Sequence, residues 1–90
     1  MNVINITYAS VFKKDCERLP RYLSQTIIEK EKLFRENPLH PSLRLHRLRG
    51  TMAGLWSISI TMNYRIIFKR QNNGDILFIS IGTHDIYKNL

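Results

Sequence analysis

Hydrophobic residues recur with a two-residue period, or in runs of β-branched and aromatic residues, in four short stretches of the chain, and these patterns predict β-strands. The first stretch, NVINITY, covers residues 2–8. The other three are LWSISIT at 55–61, YRIIFKR at 64–70 and DILFISI at 75–81, and they are rich in β-branched and aromatic residues. The sequence NNGD at 72–75 is typical of a hairpin turn, because Asn and Gly accept positive φ angles.

Between the first two strand candidates, the apolar residues follow the three-to-four-residue spacing of helices. One helix is predicted from SVFKKDCERL at 10–19, and a longer one over 21–36, where Asn37-Pro38 ends it. The order β-α-α-β-β-β predicts an α+β fold, in which a helical hairpin packs on one face of a mostly antiparallel four-stranded sheet. Ninety residues suit one small core, so we expect a single domain over 1–90.

The strand pattern also predicts which side chains share a face of the sheet. Ser57 and Ser59 alternate with apolar residues in one strand, and Arg65 and Lys69 do so in the next. A hairpin between these strands places the four side chains together. Because the helices cover only one side of the sheet, this other face is expected to be a wet, positively charged floor.

Charge is distributed unevenly along the chain. The formal net charge is +7, and residues 5–37 nearly balance their cations with carboxylates. Residues 38–74, named the basic segment, contain no carboxylate. A block of one sign suits a polyanion or an acidic protein partner, and arginine matches phosphate geometry well. A solvated basic surface is the alternative. The cations of the basic segment are Arg44, Arg47, Arg49, Arg65, Lys69 and Arg70.

Several other classes of protein are disfavoured by the sequence. Cys16 is the only cysteine, so no intramolecular disulfide is possible, and we interpret it as a small, partly buried hydrophobic residue. His40, His46 and His84 lack the spacing of zinc ligands, so no metal or other cofactor is expected. Neither a signal peptide nor an apolar run of about 18 residues is present, so we expect a cytoplasmic protein without a membrane partner.

Three motifs, in this order, resemble one known family. HRLRG at 46–50, GLWSISITMNYRIIF at 54–68 and ISIGTHDIY at 79–87 resemble the RelE/ParE toxin superfamily, and especially its RelE, YoeB and YafQ type of mRNA interferase. The resemblance covers essentially the whole chain. It implies a toxin of a bacterial type II toxin–antitoxin system that cleaves mRNA, commonly on the ribosome, without a metal. A ribose 2′-hydroxyl attacks the neighbouring phosphate, and a cognate antitoxin is the implied protein partner.

The resemblance also implies roles for individual residues. Arg65 in NYRIIF lies where the family has its phosphate-binding arginine, and His84 in GTHD lies where YafQ-like toxins carry a histidine suited to general acid catalysis. Gly82 is expected to let the chain turn towards His84. Tyr87 resembles an aromatic residue that stacks on a base, and docking of the chain end to the core is the alternative. His46, within an HxLxG-like stretch, is the candidate general base or only a part of the basic segment. The candidates for binding RNA phosphates are Arg44, Arg47, Arg49, Lys69 and Arg70.

Departures from the family pattern keep other functions open. Ser57 and Ser59 stand where RelE has two catalytic lysines, and no acidic residue between Glu36 and Asp75 can replace the glutamate base of YoeB-like toxins. ParE-type relatives share the fold but poison DNA gyrase and need no nuclease residues. A catalytically decayed module that binds RNA through its phosphates without cleaving it is a further alternative.

Overall fold

The computed structural model describes residue 3 and residues 5–88, and within these residues two α-helices pack against one face of a five-stranded sheet. Short 3₁₀ helices lie at Pro41–Leu43, Gly50–Met52 and His84–Lys88. The helices and strands in chain order are β1 (Ile6–Tyr8), α1 (Ser10–Arg18), α2 (Leu23–Glu36), β2 (His46–Arg47), β3 (Trp56–Ser59), β4 (Arg65–Arg70) and β5 (Ile76–Gly82).

The strands lie in the order β1-β5-β4-β3-β2. β1 runs parallel to β5, and the other neighbouring pairs are antiparallel. This arrangement confirms the predicted α+β fold with its mostly antiparallel sheet. The sheet has five strands rather than the predicted four, because β2 pairs His46 and Arg47 with Ser57 and Trp56 of β3. A strand of two residues has no alternation that a sequence pattern can detect.

The predicted boundaries of the elements are close to the observed ones. The first strand was expected over 2–8, and β1 covers Ile6–Tyr8, while residues 1, 2 and 4 lie outside the described part of the chain. The second helix begins at Leu23 rather than at residue 21. A turn precedes it, in which the backbone N–H of Leu23 donates to the carbonyl of Pro20 at 3.0 Å.

Aromatic side chains hold the helices to the sheet. Phe34 of α2 is fully buried, and its ring centroid lies 5.1 Å from that of Phe68 in β4. Phe12 of α1 lies 5.4 Å from Phe78 in β5. Burial of each such side chain contributes about 1.5–3 kcal/mol to folding. The core therefore fixes β4 and β5, the two strands whose ends carry Arg65 and lead to residue 84.

The face of the sheet opposite the helices is less exposed than the alternation predicts. Ser59 pairs with Arg65, and Lys69 follows at the alternate position, so these side chains share a face as expected. However, Ser57 is 0% exposed and Ser59 only 6%, so the prediction of a wet floor is wrong. The 3₁₀ helix after β5 folds back over the sheet, and the Tyr87 hydroxyl lies 3.3 Å from Oγ of Ser57.

Candidate functional site

A surface cleft of about 430 Å³ lies at the end of the sheet where β4 begins and β5 ends. Arg65 is the first residue of β4 and the Cα partner of Gly82, the last residue of β5. Strand pairing therefore brings His84, two residues further on, to the same cleft as Arg65. Arg65 is half-buried and His84 is exposed. This cleft is named the Arg65 cleft; its other lining residues are Tyr22, Met62, Asn63, Tyr64 and Thr83.

Gly82 permits a close approach between β5 and the 3₁₀ helix that follows it. Its φ angle is not in the left-handed region, so the expected role in a turn does not explain this glycine. A Cβ atom at residue 82 would instead overlap with Cγ2 of Ile86. The N–H of Ile86 donates to the carbonyl of Thr83 at 3.0 Å, which closes the turn that contains His84. The absence of a side chain at residue 82 thus positions His84.

Tyr87 connects His84 to the sheet. Its ring packs edge-on against the His84 imidazole, with a centroid distance of 5.0 Å and an interplanar angle of 85°. Its hydroxyl makes a hydrogen bond with the buried Ser57 hydroxyl, and either group can donate. These contacts fix the His84 ring at the rim of the Arg65 cleft. Of the two roles proposed for Tyr87, docking of the chain end is the one for which the structure supplies contacts.

His46 lies in a different cleft, of about 610 Å³, which residues 46–50, Ala53 and Gly54 line. This cleft is named the His46 cleft. The residue His46 shares a sheet face with Arg65, because His46 pairs with Ser57 and Ser59 pairs with Arg65, but β3 and β4 separate β2 from β5. Nδ1 of His46 lies 3.0 Å from the carbonyl oxygen of Arg44. Since a carbonyl only accepts, Nδ1 carries a proton, and in the neutral ring Nε2 is free to accept one.

The arginines on either side of Trp56 form a second charged feature of the sheet. The guanidinium carbons of Arg47 and Arg70 lie 5.5 and 5.6 Å from the centroid of the Trp56 ring. Arg47 pairs with Trp56 in the register, so both belong to the face that carries the helices. Cation–π contacts of this kind hold long side chains in place while their charge stays at the surface.

The remaining cations of the basic segment are dispersed. Arg49 lines the His46 cleft, and Lys69 is exposed near the end of β4. Arg44 adopts a left-handed backbone with φ of 47° and lines a third cleft of about 280 Å³ together with Lys30. The five candidates for phosphate binding are thus distributed over several elements rather than gathered beside Arg65.

Five residues of the Arg65 cleft were not among the predicted site residues, namely Tyr22, Met62, Asn63, Tyr64 and Thr83. Tyr22 belongs to the turn between the helices, and Met62 and Asn63 to the turn between β3 and β4. Only the fold brings these turns together. One sequence feature could have indicated Tyr22. It is an aromatic residue between the two helices that belongs to the apolar face of neither helix.

Shifted pKa values occur away from these clefts. Burial raises the pKa of the Cys16 thiol, which packs half-buried against the core as its sequence context predicts. Burial also raises the pKa of the Tyr8 phenol, and the hydrogen bond to Glu31 raises it further. Within residue 3 and residues 5–88, no cluster of three His, Cys, Asp or Glu side chains has the arrangement of a metal site.

A family model places this chain among bacterial toxins. Residues 6–86 match the model described as the ParE toxin of the type II toxin–antitoxin system parDE. The chain therefore belongs to the RelE/ParE superfamily of type II toxins. Within the described residues, no helix has the length and apolar composition needed to cross a membrane.

Solved structures show the same fold at low sequence identity. YafQ from E. coli strain BL21(DE3) has a TM-score of 0.74 and 20% identity, with 92% of this chain and 96% of YafQ covered. A YoeB/ParE toxin from Agrobacterium tumefaciens has a TM-score of 0.74 and 21% identity over 90% of this chain and 99% of that toxin. YafQ in the E. coli DinJ–YafQ toxin–antitoxin complex has a TM-score of 0.74, 20% identity and coverages of 91% and 93%. The search of curated protein sequences found no match.

Proposed function

We propose that this toxin is an mRNA interferase, a metal-independent endoribonuclease that cleaves mRNA on the ribosome and so inhibits translation. The observation that supports this proposal best is the pairing of Arg65 with His84 in one cleft. RNA cleavage without a metal needs a cation at the phosphate and groups that transfer protons, and an arginine and an imidazole can supply the first and one of the second. Both are held by strand ends that the aromatic core fixes.

In the proposed reaction, the ribose 2′-oxygen forms a bond to phosphorus while the bond from phosphorus to the next 5′-oxygen breaks. The products are a 2′,3′-cyclic phosphate and a 5′-hydroxyl. Arg65 stabilises the additional negative charge on the phosphoryl oxygens, and protonated His84 donates a proton to the leaving 5′-oxygen. Tyr87 keeps the His84 ring in position.

His46 is the candidate base that accepts the 2′ proton. Its Nδ1–H donates to the Arg44 carbonyl, so the neutral ring presents Nε2 as a proton acceptor. Because it lies in the separate His46 cleft, a single variant distinguishes its two candidate roles. If His46 is the base, His46→Ala lowers the cleavage rate; if it belongs only to the RNA-binding surface, this variant weakens RNA binding and leaves the rate at saturating RNA unchanged.

Induced expression followed by mapping of mRNA ends tests the proposal. Wild type should arrest growth and generate new 5′ ends in mRNA, whereas Arg65→Ala and His84→Ala should do neither. Arg18→Ala and His40→Ala are matched controls, because both residues lie outside the three clefts and should leave cleavage intact. Growth arrest without new RNA ends, or arrest that both substitutions leave unaffected, contradicts the proposal.

The second candidate function is poisoning of DNA gyrase. The family model that matches residues 6–86 carries the name ParE, and this observation favours it. If the toxin poisons gyrase, His84→Ala and His46→Ala should retain toxicity, and gyrase-dependent DNA damage should accompany growth arrest. If the protein binds RNA but causes neither mRNA cleavage nor gyrase-dependent DNA damage, it is a catalytically decayed toxin.

The proposed protein partner is a cognate antitoxin. The solved structure of DinJ with YafQ is described as a toxin–antitoxin complex, as is that of RelBE2 from Mycobacterium tuberculosis. In this chain, the basic segment offers cations without carboxylates, which suits an acidic or amphipathic antitoxin segment. Binding such a segment across the clefts would neutralise the toxin.

A further inference from the structure

Two large hydrophobic side chains are exposed on the wall of the Arg65 cleft. Tyr22 is 75% exposed and Met62 is 81% exposed, and both line the cleft that contains Arg65 and His84. Other exposed hydrophobic residues, such as Leu39 at 68%, line none of the three clefts. The aromatic ring and the thioether therefore belong to the same concave surface as the two candidate groups for chemistry.

Both residues lie on turns whose backbone is held by hydrogen bonds. Tyr22 precedes α2 with helical backbone angles, φ −63° and ψ −18°, and the next residue, Leu23, is buried. Met62 lies in the turn between β3 and β4, where Oγ1 of Thr61 accepts hydrogen bonds from the N–H groups of Asn63 and Tyr64, both at 3.2 Å. A ligand therefore has to order only two side chains, and not the loops that carry them.

The chemistry of the cleft matches a nucleotide of single-stranded RNA. Arg65 offers paired donors to a phosphate, and the exposed faces of Tyr22 and Met62 offer apolar, polarizable surface to a flat ring. Unpaired bases stack on aromatic side chains beside cationic groups that hold the backbone. The volume of about 430 Å³ is within the range of small-molecule sites.

We infer that Tyr22 and Met62 form a base-binding subsite, which takes the unpaired nucleobase next to the phosphate held by Arg65. The inference rests on the proposed ribonuclease function and deepens it, because it names residues that hold the substrate beside the reacting phosphate. Tyr22 supplies the stacking face, and Met62 adds apolar, polarizable surface in the same cleft. Stacking tolerates different bases, so this subsite contributes mainly to affinity and orientation.

A binding experiment with RNA that cannot be cleaved tests the subsite. The probes are single-stranded RNA hexanucleotides with a 2′-deoxy residue at the scissile position and 2-aminopurine placed in turn at each position. Stacking on Tyr22 should quench the fluorescence at one position next to the deoxy residue. Tyr22→Ala should remove this quenching and weaken binding roughly ten-fold or more, whereas Tyr22→Phe should preserve both. Met62→Ala should have a smaller effect in the same direction. Leu39→Ala, at a similarly exposed site outside the clefts, should change nothing.

The outcomes separate this inference from the proposed function. The subsite is overturned if Tyr22→Ala leaves both RNA binding and quenching unchanged. It is also overturned if no position is quenched in wild type. Either result counts even if Arg65→Ala still abolishes mRNA cleavage. If Arg65→Ala and His84→Ala both still cleave mRNA, the proposed function is overturned instead. If Tyr22→Ala weakens copurification with the antitoxin and leaves RNA binding unchanged, the wall is a protein contact and the subsite is also overturned.

Discussion

The Arg65 cleft and the His46 cleft lie on the same sheet but are built differently. The Arg65 cleft begins where β4 and β5 pair, and both strands are backed by buried phenylalanines. The His46 cleft is formed by the two-residue strand β2 and the 3₁₀ turn after it, and its arginines, Arg47 and Arg49, are exposed. The Arg65 cleft therefore has a half-buried cation on paired strands, whereas the His46 cleft has its charges on a short, exposed segment.

This difference separates two kinds of function. Chemistry requires groups that are held in one geometry before the substrate arrives, and the paired strand ends provide that. Binding of a charged backbone requires cations at the surface, and the exposed arginines of the His46 cleft meet that need. We therefore expect the arginine of the Arg65 cleft to act mainly on the rate of cleavage and the arginines of the His46 cleft to act mainly on affinity.

The largest expected effect distinguishes the two clefts through their arginines. Arg65→Ala should reduce the cleavage rate at saturating mRNA by at least about 100-fold, as loss of one positioned donor to a developing charge does in other enzymes. Arg49→Ala removes an equal charge from the His46 cleft, so it should leave that rate within a few-fold, weaken RNA binding, and lower the salt slope of affinity by about one. Single-turnover kinetics and salt-dependent binding measure both. Equal losses of rate in the two variants would contradict the division between the clefts.

A smaller effect is expected from paired glycine substitutions, because the two clefts use glycine for different reasons. Gly82→Ala brings a Cβ atom into Ile86 and should displace the 3₁₀ helix that carries His84, with a loss of about 1–3 kcal/mol in unfolding free energy and a marked loss of cleavage. Gly54, with φ of 95°, has open space where a Cβ atom would lie, so Gly54→Ala costs only the strain of its backbone, about 1 kcal/mol.

Shortening the side chain of Ile86 distinguishes close packing at Gly82 from backbone strain at Gly54. Ile86→Ala should restore stability and cleavage to the Gly82→Ala variant, because it removes the side chain that the new methyl group meets. It should do nothing for Gly54→Ala, where the cost comes from φ rather than from space. Urea unfolding and the cleavage assay measure each pair. If Ile86→Ala fails to rescue Gly82→Ala, close packing does not explain Gly82.

The sequence was informative about the parts of the molecule that local patterns determine. Alternation and helical spacing predict the elements and the fold class, and they place Ser59 and Arg65 on one face. They do not predict β2, a strand of two residues that is defined only by the pairing of His46 and Arg47 with β3. They also missed the return of the 3₁₀ helix over the sheet, which buries Ser57. The position of Tyr22 in the Arg65 cleft depends on a contact between two distant turns, and no local pattern specifies it.

The smallest expected effect concerns the hydrogen bond that joins Tyr87 to the sheet between the clefts. Tyr87→Phe keeps the ring against His84 but leaves the buried Ser57 hydroxyl without this partner, so it should lower the unfolding free energy by about 1 kcal/mol. Adding Ser57→Ala should recover part of that loss, and a double-mutant cycle in urea measures the coupling. Cleavage should stay within a few-fold of wild type, since the His84 ring keeps its packing. A loss of cleavage as large as that of Arg65→Ala would mean that the Tyr87 hydroxyl takes part in the chemistry rather than in positioning.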